Sequence, residues 1–238
     1  MKTFLKTEWR NLIIINYTVD PAVLHPYLPS GTELDIWNNQ CYVSLLAFRF
    51  MNTRVLGIKM PLHINFTQIN FRFYVKHQAS NGEWRQGAVF LREIVSLPVI
   101  AAAGKILFNQ PYHIMPTKYS WGVHNQLDIA YAWKYKGKWN RVKALGAMPP
   151  EAMTVGSEAE FITEHYWGYT KINAHKTLEF KVEHPRWRFY PLLDFAIDVD
   201  FKNLYGVEFE LLNRQKPHSV FLAEGAPAAM IPMGKIEG

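Results

Sequence analysis

A chain of 238 residues can form one large domain or two small ones, and 49% hydrophobic content with 15% aromatic residues suffices for a sizeable core. The net charge of +6, from 26 basic and 20 acidic residues, excludes a polyelectrolyte tail, and a basic excess this mild and this dispersed leaves no footprint for nucleic acid. The single cysteine, Cys41, excludes an internal disulfide and a Cys-rich zinc site.

The opening stretch MKTFLKTEWR lacks the apolar region of a signal peptide, and the longest apolar runs fall far short of the ~20 residues that span a bilayer. A soluble cytoplasmic protein with no membrane partner is the expectation. Trp9 to Thr18 (WRNLIIINYT) reads as a first strand rich in β-branched residues. Asp20 then suits a helix N-cap and Pro21 the first helical position, while Pro26 and Pro29 limit that helix to about two turns. Gln40 to Phe50 is a buried strand in which Cys41 serves as a small hydrophobe.

From Leu62 to Val75 the residues alternate between two faces. One carries Asn65, Thr67, Ile69, Phe71, Phe73 and Val75. The other starts with Ile64 and Phe66 and then turns polar at Gln68, Asn70 and Arg72. That polar row is either a solvent face or the wall of a polar-lined cavity inside a barrel. Asn81-Gly82 predicts a type I′ turn into a strand that ends at Glu93. Pro98 begins a helix, PVIAAAGKILF, apolar on nearly every side except Lys105, so it is expected to pack against a sheet, with Pro111 ending it.

Trp121 to Val142 reads as a hairpin turning at Gly137, whose Lys134-Tyr135-Lys136-Gly137-Lys138 tip is a solvated basic cluster. Ser157-Glu158-Ala159-Glu160 is a capping box, predicting a helix as far as Tyr166. Thr177 to Glu183 alternates as a strand, Pro191 to Tyr205 fits a short helix or a loop, and Ser219 to Ala223 reads as the last strand. With no linker, low-complexity tract or repeat, residues 1–238 are expected to form a single domain.

Chemistry with a sequence signature is absent. There is no GxxxxGK[ST], GxGxxG, HExxH or GxSxG, and the nine histidines never pair at helical i, i+4 spacing. No cofactor and no metal are predicted. Lys105 on its apolar helix could be a desolvated amine, but its stem more simply covers the sheet while the ammonium reaches water.

Several pieces in order resemble one family. They are Asn16-Tyr17-Thr18-Val19-Asp20-Pro21, LPSG at Leu28, YVSLLAF at Tyr42, FTQINFRFYV at Phe66, GAVF at Gly87, FNQPYHIM at Phe108, VEHPRW at Val182 and SVFLAEG at Ser219. Together they are similar to the YqjF-like family of the acetoacetate-decarboxylase-like superfamily. The resemblance implies an α+β fold, mainly antiparallel, in which a cone-like barrel with a few packing helices encloses a small cavity.

In the decarboxylase branch, a lysine forms a Schiff base with the β-keto acid, and a second lysine beside it lowers its pKa. The matching positions after Pro111 are Tyr112 and His113, and neither can form an imine. The branch's first-strand arginine is matched by Arg10. Its two glutamates fall at Gln68 and near Ser44.

Acetoacetate decarboxylation is therefore not expected. What the resemblance leaves is a pocket for a small carboxylate or carbonyl compound. Arg10, Ser44, Gln68, Asn70 and Arg72 would bind that ligand, Tyr112 and His113 would handle its carbonyl and protons, and Phe66, Phe71, Trp84 and Phe90 would wall it. The residues do not decide between a binder and an enzyme. The alternative is a structural or partner-binding module whose pocket has collapsed. The related decarboxylases assemble, and a chain this aromatic is compatible with a homo-oligomer.

Overall fold

A computed structural model describes residues 3–59 and 64–237. The larger of its two sheets is built from long strands, with β1 spanning Leu5–Val19, β2 Cys41–Val55, β3 Phe66–Gln78 and β4 Trp84–Val95. The short β5 (Tyr112–Ile114) follows helix α2 (Pro98–Phe108), while helix α1 (Pro21–Leu24) lies between β1 and β2. A second sheet is made of β6 (Thr117–Val123), β7 (Gln126–Tyr135), β8 (Lys138–Ala147) and, after a return to the first sheet, β11 (Leu192–Asp198). Between these come helix α3 (Glu158–Thr163), β9 (Trp167–Lys171) and β10 (Lys176–Glu183). Helix α4 (Phe201–Tyr205), β12 (Ser219–Ala223) and β13 (Pro227–Glu237) complete the chain.

Hydrogen bonding in the larger sheet passes from β1 to β13, β10, β9, β4, β3 and β2, then returns to β1. The sheet therefore closes on itself, which removes most of its free edge. Within this ring only the β9–β4 contact is parallel, at Trp167–Gly87 and Gly168–Ala88. The first strand changes partner halfway along one edge. Leu5–Glu8 pair with β13, and Leu12–Asn16 pair with β12. A bulge between Arg10 and Ile13, with Asn11 at φ 58°, makes the bend.

Alternation along the ring strands feeds two cores. Ile13, Ile15, Val43, Leu45, Phe71 and Phe73 point outward and pack against Leu127, Ile129, Tyr131 and Trp133 of the second sheet and Phe201 and Phe209 of the α4 region. Leu12, Ile14, Leu46, Phe48, Phe50 and Phe66 point inward with Val95 and Trp187. Both faces are covered, so β2 reads as a continuous buried run rather than as alternating polar and apolar residues. Burying one such Leu or Phe contributes ~1.5–3 kcal/mol.

Ala101 of α2 and Ile162 of α3 join the inner core, so each helix covers part of the ring interior. His165, just after α3, has Nε2 3.0 Å from Asp35 Oδ2, which also accepts from Gln86 Nε2 at 2.9 Å. This buried polar contact ties the segment after α3 to β4.

Several expectations need correction. The expected start of β3 at Leu62 lies outside the described residues, and its regular strand begins at Phe66. The Asn81-Gly82 hairpin is not type I′, because Gly82 has φ 84° while Asn81 is not left-handed. Gly82 N instead bonds Ala79 O, placing Ser80 and Asn81 at the centre of an ordinary turn that the left-handed glycine closes.

Helix α2 ends at Asn109, held left-handed by bonds from its N–H to Gly104 and Lys105 carbonyls, before Pro111 is reached. Its packing stripe is narrow, with Ala101, Gly104 and Phe108 buried but Val99, Ile106 and Leu107 facing outward. The ambiguous 191–205 stretch divides into strand β11 and helix α4. Ser219–Ala223 is not the last strand, because β13 follows it and helps close the ring.

Candidate functional site

Inside the ring lies a cavity of about 50 Å³. By the measure on which ~10–15 Å³ holds one water, it has room for a few waters or a ligand of a handful of heavy atoms. Two wider grooves, of about 720 and 560 Å³, run along the outer face of the second sheet and are open to solvent. They are lined mainly by small and charged surface residues such as Ser120, Ala130 and Lys143. The inner cavity is the one with converging buried polar groups.

Gln68, Asn70 and Arg72 of β3 all line it, so the polar row is an interior wall. Gln68 and Asn70 are each only 3% exposed. Across the ladder, Asn70 pairs with Glu93 of β4, and Glu93 in turn pairs in parallel with Tyr112 of β5. Glu93 therefore sits between Asn70 and Tyr112 on adjacent strands. Gln68 Nε2 donates to Glu93 Oε1 at 2.5 Å, and the Tyr112 phenol faces the same carboxyl. Burial pushes the Glu93 carboxyl up to about 8, against the opposing effects of Tyr112 and Gln68. Burial beside Glu93 also drives the Tyr112 phenol well above its ordinary range. Near neutral pH this corner holds a protonated carboxyl beside a phenol.

Arg72 is half-buried. Its Nη2 donates to Ile162 O at 3.1 Å, and its guanidinium lies 5.3 Å from the Tyr74 ring centre. It makes no ion pair among the described residues. Trp9, Trp187, Phe48, Phe50 and Phe90 supply aromatic walls, and Phe180, Val182 and Met230 close the apolar side. Of the expected walls, Phe90 lines the cavity and Phe66 packs in the inner core. Phe71 faces the outer core, and Trp84 is surface-exposed.

Buried polar atoms without a hydrogen-bond partner among the described residues gather here. Trp9 Nε1, Gln68 Oε1, Asn70 Oδ1, Arg72 Nε, Glu93 Oε2 and Trp187 Nε1 all belong to side chains that line this one cavity. Native interiors rarely leave such groups unpaired. No group of three or more His, Cys, Asp or Glu converges as a metal cage among the described residues.

The remaining expected site residues lie elsewhere. Arg10 faces outward and binds Glu8 through Nε at 3.1 Å and Nη2 at 2.6 Å. The β1 bulge causes this. Asn11 is fixed by a bond from Tyr131 Oη to its carbonyl and one from its Nδ2 to Tyr119 Oη, which leaves Trp9 and Leu12, not Arg10, on the cavity side. Ser44 is fully buried but spent, donating to Asn16 Oδ1 at 2.6 Å and accepting from Tyr74 Oη at 2.7 Å. His113 alternates away from Tyr112 and is exposed, with partial desolvation and then the charges of Arg92 and Lys105 holding its imidazole below the usual value. Lys105 is exposed.

Glu93 is the group that residue-by-residue matching missed. Its signal was a carboxylate near the end of a largely apolar stretch (GAVFLREIV) that aligns with the polar row of β3.

The whole chain superposes on solved structures of one fold. An acetoacetate decarboxylase from Legionella pneumophila matches with a TM-score of 0.63 at 15% identity, over 100% of this chain and 90% of that one. An acetoacetate decarboxylase-like enzyme from Sphingomonas wittichii RW1 gives 0.67 at 11%, over 100% and 95%. The enduracididine biosynthesis enzyme MppR complexed with pyruvate gives 0.66 at 12%, over 100% and 91%. At these identities the likeness establishes the fold. In sequence, the uncharacterized protein YqjF of Bacillus subtilis is 29% identical over 79 residues, a match spanning 33% of each chain. With residues 6–227 matched by its profile, the chain belongs to the DUF2071 family, "Uncharacterized conserved protein (COG2071)".

Proposed function

We propose that the cone cavity binds a small carboxylate or carbonyl compound, and that turnover there uses no Schiff-base lysine. The carrying observation is the gathering of unpartnered buried donors and acceptors around one cavity. Each such atom left unpaired costs ~1–3 kcal/mol, and a polar ligand with both donor and acceptor capacity relieves several at once. Arg72 adds a positive charge with no carboxylate of its own, while Glu93 is neutral near pH 7, so the cavity favours an anion. No lysine lines it. The pyruvate carried by the similarly folded MppR belongs to the same ligand class.

Titration calorimetry with pyruvate, acetoacetate and acetate tests the reading. Binding that Arg72→Ala removes and Arg10→Ala preserves supports it. Absence of binding by all three favours the alternative, a structural or partner-binding module. The modest cavity volume is what that alternative has in its favour.

A further inference from the structure

A carboxyl placed between Asn70 and Tyr112 serves no packing purpose. Leucine or glutamine would fill the same volume without the cost of burying an ionisable group, which is large unless the group is paired with a counter-charge. Among the described residues Glu93 has no ion-pair partner: its Oε1 is held by Gln68 Nε2, and its Oε2 has no hydrogen-bond partner. One oxygen is thus anchored, and the other makes no hydrogen bond of its own, with the Tyr112 phenol beside the carboxyl. The strand ladder then fixes what stands around it. Tyr112 is its neighbour on β5, and Arg72 lies on the same face of β3 two residues beyond Asn70, about 7 Å along the strand.

We infer that Glu93 is the proton-transfer group of this cavity, and that the site enolises a small 2-oxo acid held by Arg72 through its carboxylate and by Tyr112 through its carbonyl oxygen. This rests on the binding reading above and extends it to a reaction.

In the forward step the ionised Glu93 Oε2 takes a proton from the carbon next to the carbonyl. The C–H electron pair becomes the new C=C bond, and the carbonyl π pair moves onto oxygen as an enolate. The Tyr112 O–H donates to that oxygen and stabilises the charge where it develops. The reverse step returns a proton from Glu93 to carbon. No oxidant, reductant or covalent lysine is required, and atoms and charge balance. Burial makes the Glu93 carboxylate a stronger base than a solvated glutamate, at the expense of the fraction ionised at neutral pH.

The test is proton exchange at the methyl group of pyruvate in D2O, followed by NMR, with pyruvate binding measured on the same samples by calorimetry. Wild-type protein is expected to bind pyruvate and to exchange its methyl protons faster than buffer does. Glu93→Gln should keep pyruvate affinity within a few-fold and slow exchange by ~10²–10⁴, the range of a positioned acid–base group. Tyr112→Phe, which removes one hydroxyl from an otherwise conserved ring, should slow exchange by ~10² and keeps the test open if Glu93→Gln does not fold. Binding without exchange, or exchange equal in wild type and both variants, overturns the inference and leaves the binding reading standing. Failure of wild-type protein to bind pyruvate overturns the 2-oxo acid assignment, while retained binding of acetoacetate or acetate would still support the pocket. Borohydride reduction with pyruvate should label no lysine, and a labelled lysine overturns the Glu93 route in favour of an imine.

Discussion

The ring of Tyr112 lies so close against Gly104 of α2 that a Cβ at position 104 would overlap its Cδ2 and Cε2 atoms. The helix thus approaches β5 only because residue 104 has no side chain, and that approach sets where the phenol enters the cavity.

Gly104→Ala should therefore destabilise the protein, although alanine is the better helix former. The propensity gain is ~0.5–1 kcal/mol, whereas overpacking a fixed ring costs ~1–3 kcal/mol. The clash wins because Tyr112 is hemmed in by the helix on one side and Glu93 on the other. Urea unfolding should show a net loss, and the variant should bind pyruvate more weakly as the phenol moves. A stabilised Gly104→Ala with unchanged binding would mean that Tyr112 is free to swing aside.

Stability should fall as pH rises from about 4.5 to about 8, to the extent that Glu93 contributes. The sign follows from proton binding. In this window the unfolded state has released the Glu93 proton while the folded state keeps it, so raising the pH favours unfolding, and the loss is complete once the folded carboxyl has ionised. The titratable group facing it is Tyr112 from β5, whose phenol stays neutral throughout, while Arg72 lines the same cavity without pairing with it. Glu93→Gln removes the effect, so its melting temperature should exceed that of wild type increasingly above pH 6 and level off above about 8. A difference that does not vary with pH would show that Glu93 is not buried as a neutral acid.

Phe90 lines both the inner cavity and an outer crevice formed with Tyr27, Asn109, Pro111 and Lys171. Phe90 thus stands between the two. Phe90→Ala should open a route from solvent, raising the association rate for pyruvate measured by stopped flow and admitting longer 2-oxo acids. The stability cost should stay below the ~3–5 kcal/mol of a fully buried Phe→Ala change, because Phe90 is only partly buried. Phe90→Leu should leave the rate near that of wild type. An unchanged rate in Phe90→Ala would place the entrance elsewhere.

The fold and the polar wall were legible in the sequence for one reason. Alternation of period two in β3 is a local property, and the row Gln68, Asn70 and Arg72 keeps it whatever the rest of the chain does. The order of elements carried the family and the mainly antiparallel cone. What was not legible depends on residues far apart in the chain. Arg10 looked like a cavity residue until the bulge at Asn11, fixed by tyrosines more than a hundred residues away, turned it outward. Glu93 gained meaning only through register with Asn70 and Tyr112, which no single segment displays. The strand β13 was hidden by Pro227, which sits at its first position, and Pro232, which is accommodated at a register shift opposite Glu179 and Phe180.

Ser44 was expected to touch ligand, and its real place predicts a stability effect instead. It joins β1, β2 and β3 by donating to Asn16 Oδ1 and accepting from Tyr74 Oη, while Asn16 Nδ2 donates onward to Ser219 Oγ at 2.9 Å. Ser44→Ala strands an acceptor and a donor in a dry interior, at ~1–3 kcal/mol for each. Tyr74→Phe alone costs less, because Ser44 can still donate to Asn16. Once Ser44 is gone, however, the Tyr74 hydroxyl is itself a buried liability, so Tyr74→Phe in the Ser44→Ala background should recover part of the loss. The double-mutant cycle in urea should therefore give a coupling of ~0.5–3 kcal/mol, with pyruvate affinity unchanged in all three variants. Additive losses, or affinity that falls with Ser44→Ala, would return Ser44 to the ligand site.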